Sequence, residues 1–269
     1  MKYRLAQDAR PQAKTLLAVA AISVALWFIP FAEILSYPFR IFVTFIHEGG
    51  HAIAALLTGN SVASLSVAMN GSGETYTTQG GSVSQMFVSS AGYLGAMSFG
   101  ALLLVLIRKA VAARIILYGS AGVILFLTTV FGFFKPIFSA SADSWGGLTG
   151  IPFTLFAGMT LSFALFLLGK FTSTRVAMLV VSMIAVQCIL NALLDLKTVF
   201  FLSSPFATAV PTDAVNMYNA TGVPAIVWAV LWIALAFGIL ILALRLYVSV
   251  RDRAFDAQKD LPFEGKVEV

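Results

Sequence analysis

What most limits the fold of this chain is a series of apolar stretches, each about as long as a bilayer is thick. They cover residues 15–32, 38–58, 85–107, 115–134, 152–169, 176–202 and 225–247, with short polar connections between them. A helix rises 1.5 Å per residue, so about 20 apolar residues cross the hydrocarbon core. Hydrocarbon offers backbone groups no partners, and a helix satisfies its own. Only 11% of the residues are charged, where a soluble domain carries about a quarter. The sequence therefore predicts an all-α polytopic membrane protein with six to seven transmembrane segments. It would be an integral, multi-pass protein with the lipid bilayer as its surroundings, in the plasma membrane if the source is bacterial.

The net charge of +5 does not call for nucleic acid, because the cations flank the apolar stretches as membrane-flanking residues do. A basic segment, 1–14, precedes the membrane domain at 15–247, and a polar tail, 248–269, follows it. The first stretch has the start of a signal peptide, but no small-x-small cleavage site closes it, so it reads as an uncleaved span. The N-terminus, the connections at 108–114 and 170–175 and the tail are all basic, which places them on one side. Seven full crossings separate the two ends. Six crossings keep them together, with the second stretch or the segment after it re-entrant, and so does removal of the first stretch.

Residues 61–84 have another character. Leu65, Val67 and Met69 alternate with Ser64, Ser66 and Ala68, a period of two. Asn70-Gly71-Ser72-Gly73 follows as a turn, and Thr75-Tyr76-Thr77-Thr78 supplies β-favouring residues. A small β-hairpin after the second stretch is expected. A plain polar loop is the alternative. In the third stretch, the small residues of Ser90-Ala91-Gly92-Tyr93-Leu94-Gly95 allow another helix to approach closely.

The second stretch contains His47-Glu48-Gly49-Gly50-His51, and these are the chain's two histidines. Residues i and i+4 share a helix face, so both imidazoles can reach one Zn²⁺ ion. Glu48 is then placed to take a proton from metal-bound water. Two histidines and a water leave a tetrahedral site one ligand short. The lone Cys188 lies in an apolar run and reads as a packing residue. The remaining candidates are Glu33, Glu74, Asp143, Asp195 and Asp213. Asp195 is favoured because it ends the apolar run Val176–Leu194, where a carboxylate usually faces the bundle interior and has a partner. The competing account pairs it with Lys197 or leaves it at the interface. Asn191, one turn earlier, could bond a ligating carboxylate or a substrate backbone, or simply join two helices.

The chemistry expected is peptide-bond hydrolysis, with Glu48 accepting a proton and returning it to the leaving amine; hydrolysis of another carbonyl compound fits the same chemistry. A transmembrane protein or peptide substrate has its amides tied up in its own helix. An exposed hairpin edge could hold such a substrate as an extended strand, which makes Thr75, Thr77 and Tyr93 candidate substrate contacts beside Asn191.

These residues resemble the site-2 protease family of intramembrane zinc metalloproteases, and its compact B-like branch most. The motif in an apolar helix, a Gly-rich β-like insertion with Gly80-Gly81, and Ala91-Gly92-Tyr93-Leu94-Gly95 occur in that order. Asp195 follows in a late helix, and then a small-Asp-Ala element at Thr212-Asp213-Ala214. The resemblance covers about residues 40–245 and implies a zinc peptidase. In the better-known branch the late aspartate stands in Leu-Asp-Gly after an Asn-x-x-Pro element; here Leu194-Asp195-Leu196 lacks the glycine and Asn191 has no such proline. Two other functions fit less well. A non-proteolytic scaffold would have no need of Glu48. A metal transporter would line a path with several intramembrane ionisable residues, and this chain has few.

Overall fold

The computed structural model describes residues 9–29, 31, 33–78, 80–108, 111–139, 145–204 and 210–249. The basic residues before position 9, Asp143 and the tail beyond Ser249 lie outside the described residues. Helix α1 covers Ala9–Ala25 and a 3-10 turn follows at Leu26–Phe28. The motif helix α2, Glu33–Leu57, leads into strands β1, Val62–Val67, and β2, Gly73–Thr77. Then come α3, Ser82–Arg108, and α4, Ala113–Phe126, which runs on through a π-helical stretch at Leu127–Phe134 into α5, Lys135–Phe138. Helices α6, Trp145–Phe171, α7, Thr174–Leu202, α8, Asp213–Thr221, and α9, Ala225–Ser249, complete the order.

Five of these helical units are long and apolar enough to cross a membrane: α3, the continuous Ala113–Phe138, α6 from Gly150, α7 and α9. This agrees with the polytopic, all-α expectation. The motif helix, which contains Arg40 and Glu48, is not among the five, and the apolar part of α1, Lys14–Ala25, is shorter than a span. Arg108 Nε donates to the Tyr247 carbonyl at 2.6 Å, and Arg114 Nη2 donates to the Thr172 carbonyl at 3.0 Å. The basic connection around Arg108 and Arg114 thus meets both the end of α9 and the connection before α7.

Helices α2 and α3 pack almost backbone to backbone. A Cβ on Gly50 would lie inside contact distance of the Ala91 carbonyl oxygen, and a Cβ on Gly95 would lie 3.6 Å from Gly50 Cα. The small residues of α3 thus do what their pattern implies. On the other side of α2, Leu127 of the π-helical stretch fills the place of a Gly49 side chain, with its Cδ1 at 2.6 Å from that Cβ position. The extra residue of a π turn changes which side chains a helix aims at a neighbour.

The hairpin forms as expected, antiparallel, with Leu65 opposite Thr75 and Val67 opposite Gly73. Gly71 takes the turn at φ 84°, which a side chain would resist. Val62, Leu65 and Val67 are buried. Met69, the third member of the alternation, is 72% exposed, because the turn has begun: Gly71 N already bonds the Ala68 carbonyl. The far edge of β1 is closed by α6, where Thr154 Oγ1 accepts from Val67 N at 2.9 Å. The far edge of β2 pairs with no third strand among the described residues.

Residues 203–224 were expected to be loop throughout, and α8 is the correction. Thr212 is extended at its N-cap, and its hydroxyl accepts from Val215 N at 3.3 Å. Gly222 closes the helix in the left-handed region at φ 73°. Ala214 and Met217 are fully buried and anchor α8 against α3 and α9.

Candidate metal centre and active-site cleft

The helical spacing of His47 and His51 brings their Nε2 atoms to 3.0 Å. His51 Nδ1 lies 2.7 Å from the Val88 carbonyl of α3. A carbonyl can only accept, so Nδ1 carries a proton; in the neutral ring Nε2 then offers its lone pair to a metal. Gly92 makes room for the pair, since a Cβ there would lie inside contact distance of both Nε2 atoms. Tyr93, the next residue, sets its ring edge-on to His47 with centroids 4.6 Å apart. Behind it lies Trp232 at 5.4 Å, whose indole N–H donates to Ser90 Oγ at 2.9 Å. The two imidazoles are therefore held from the α3 side by a carbonyl, a missing side chain and a ring.

The third group is Asp213, at the start of α8. Its Oδ2 lies 3.5 Å from His51 Nε2 and 3.8 Å from His47 Nε2. Burial works against ionisation of Asp213, but His51 and His47 outweigh it and hold the carboxyl well below the ordinary carboxylate range. The ligand atoms of His47, His51 and Asp213 all lie within 4.8 Å of one another. For metal–ligand bonds of about 2.0–2.1 Å, a tetrahedral zinc separates neighbouring ligand atoms by about 3.3 Å. Two nitrogens and a carboxylate oxygen at 3.0, 3.5 and 3.8 Å fit such an ion.

Glu48 is buried beside this set, and its position comes from the hairpin. Thr75 Oγ1 donates to Glu48 Oε2 at 2.7 Å. Gly73 leaves room for the same carboxylate: a Cβ there would be 2.6 Å from both Glu48 Cγ and Oε1. All of this faces a cleft of about 1020 Å³ lined by α2, β2, the start of α3, the end of α7, and α8. A family model described as Peptidase M50B-like matches residues 16–243. The chain belongs to this M50B-like peptidase family. That places it in the B-like branch of the site-2 proteases, as integral multi-pass membrane proteins. No curated protein and no solved structure matched the chain.

The M50B-like match runs from within α1 to near the end of α9 and takes in the motif and both late aspartates. The structure separates those two. Asp213 stands at the histidines; Asp195, expected to be the third ligand, lines the cleft but is not in the cluster. The physical reason is α8, whose capped first residue is carried back over α3 to the site. The expected signal was in the sequence, as a Thr-Asp pair with the preferences of a helix N-terminus. Thr75, Thr77 and Tyr93 line the M50B-like cleft. Asn191 does not line it; its amide nitrogen donates to the Gln187 carbonyl at 2.8 Å and to Gln187 Oε1 at 3.0 Å, within α7.

Proposed function

We propose that this M50B-like protein is a zinc-dependent endopeptidase that hydrolyses peptide bonds of membrane-spanning substrates. The observation that carries the reading is Glu48, held by Thr75 at 2.7 Å beside two imidazoles and a carboxylate of metal-binding geometry. A structural metal site has no use for a positioned base next to it. His47, His51 and Asp213 would hold the zinc, which when bound supplies Lewis acidity toward a carbonyl and toward water. Glu48 is placed to accept the proton of an attacking water and to hand it to the departing amine. Thr75 keeps the carboxylate turned toward that water, and Gly73 leaves it room to exchange the proton.

The hairpin supplies the substrate's place. Ser72 O accepts from Ala68 N, and Thr78 N donates to Ser61 O. Even-numbered residues of β2 therefore turn their backbone toward β1, and Gly73, Thr75 and Thr77 turn theirs to the free edge. A substrate segment that has left its helix can add there as a strand and recover its backbone hydrogen bonds.

The test is cleavage of a synthetic membrane-spanning peptide by the purified protein in detergent, with zinc present and after chelation. Hydrolysis that depends on zinc is expected. Thr77→Pro, which removes one free-edge N–H, is expected to lower kcat/KM about tenfold or more while zinc stays bound, on the order of one lost backbone bond. Unchanged kcat/KM in that variant would rule out strand addition.

A further inference from the structure

The M50B-like cleft holds more carboxylates than hydrolysis uses. Among the described residues four line it, Glu48, Glu74, Asp195 and Asp213, and no lysine or arginine does. Two have partners: Glu48 accepts from Thr75, and Asp213 lies against both histidines. Glu74 is exposed on the hairpin. Asp195 makes no hydrogen bond and no ion pair within the described residues. Arg40, on the motif helix, lies against the hairpin turn at Gly71 and over the Tyr37 ring, 5.6 Å from its centroid.

Asp195 is also fixed in place. It shares a face of α7 with Thr198 and Leu202, which line the same cleft at the i+3 and i+7 positions. Ala192 and Leu196, beside it on α7, are buried in the bundle, and Val199 lines the cleft with it. A carboxylate near the middle of a membrane protein is costly unless it meets a partner. Asp195 is exposed in the cleft, so its charge is open to a group of the substrate.

We propose that Asp195 recognises a positively charged side chain, lysine or arginine, close to the scissile bond of the substrate. The inference rests on the peptidase reading and adds a specificity determinant to it. A charge-assisted hydrogen bond in a partly desolvated cleft discriminates strongly against a neutral or acidic side chain at the same place.

The test uses one synthetic membrane-spanning peptide made with Lys, Gln or Glu beside the scissile bond, on either side of it. The wild-type chain is expected to cleave the best Lys peptide roughly tenfold or more better than its Gln counterpart, the scale of a hydrogen bond to a charged group. Asp195→Asn should narrow that ratio to about one, chiefly through KM for the Lys peptide, while retaining zinc. Asp195→Lys should shift the preference toward the Glu peptide. Equal cleavage of all three peptides by the wild type would overturn the inference even if neither variant inserts correctly. So would a preference that survives in Asp195→Asn, or loss of zinc from that variant, which would make Asp195 a ligand. Failure of the wild type to cleave any peptide would instead remove the peptidase reading, and this inference with it.

Discussion

Glu48→Gln is expected to abolish peptide cleavage while leaving the metal in place. Glutamine keeps the size of the side chain and an oxygen that can accept from Thr75, so the 2.7 Å contact that positions residue 48 can persist. What it loses is the capacity to carry a proton. General acid–base catalysis is worth roughly 10²–10⁴-fold in rate, and a drop of that order in kcat is the expected result. Zinc should remain, because the metal-binding set is His47, His51 and Asp213. Rates measured on a membrane-spanning peptide beside zinc content on the same sample read both quantities. Cleavage at the wild-type rate would remove the role assigned to Glu48. Loss of zinc together with activity would instead make Glu48 a ligand.

The second large effect is expected at Asp213. Asparagine there is nearly isosteric and still occupies the first position of α8, under the Thr212 cap. It removes the charge that the two imidazoles hold in the ionised state. Changes to residues behind the ligands commonly cost roughly 10–100-fold in metal affinity, so loss of a ligand charge should cost more. Asp213→Asn is therefore expected to purify with little zinc and no cleavage activity. Asp195→Asn should keep its zinc. The comparison is direct because both changes are Asp to Asn and both lie on the same cleft. A zinc-loaded Asp213→Asn protein would contradict the assignment.

Much of this was legible in the sequence, for identifiable reasons. The membrane helices follow from apolar runs with few charges, which in hydrocarbon leave little alternative to a helix. The two histidines and Glu48 need only helical spacing to be placed, and α2 supplies it. The hairpin's period of two holds in the structure for Leu65, Ser66 and Val67; Ser64 is buried beside the register shift after Val62, and Met69 fails because the turn starts one residue earlier than the alternation implies.

The misses share a cause, which is tertiary placement. Residues 203–224 contain three prolines and little apolar periodicity, so they read as loop. The helix there rests on a cap and two buried side chains, Ala214 and Met217, rather than on an amphipathic stripe. Asp195 was favoured as a ligand by the rule that a membrane-depth carboxylate needs a partner. The rule identifies an unusual residue but not which partner it has. Asn191 shares the helical phase of Asp195, which points it to the site, yet its amide turns back to Gln187 within α7. Local hydrogen bonding of this kind competes with any longer-range role.

The account stands on the position of one ion. Crystals of the wild-type protein grown with zinc, with anomalous data collected on both sides of the zinc absorption edge, locate it without reference to activity. The expected result is one strong peak, about 2.0–2.2 Å from His47 Nε2, His51 Nε2 and an Asp213 carboxylate oxygen. A peak bound to the histidines and Asp195, with Asp213 turned away, would contradict it.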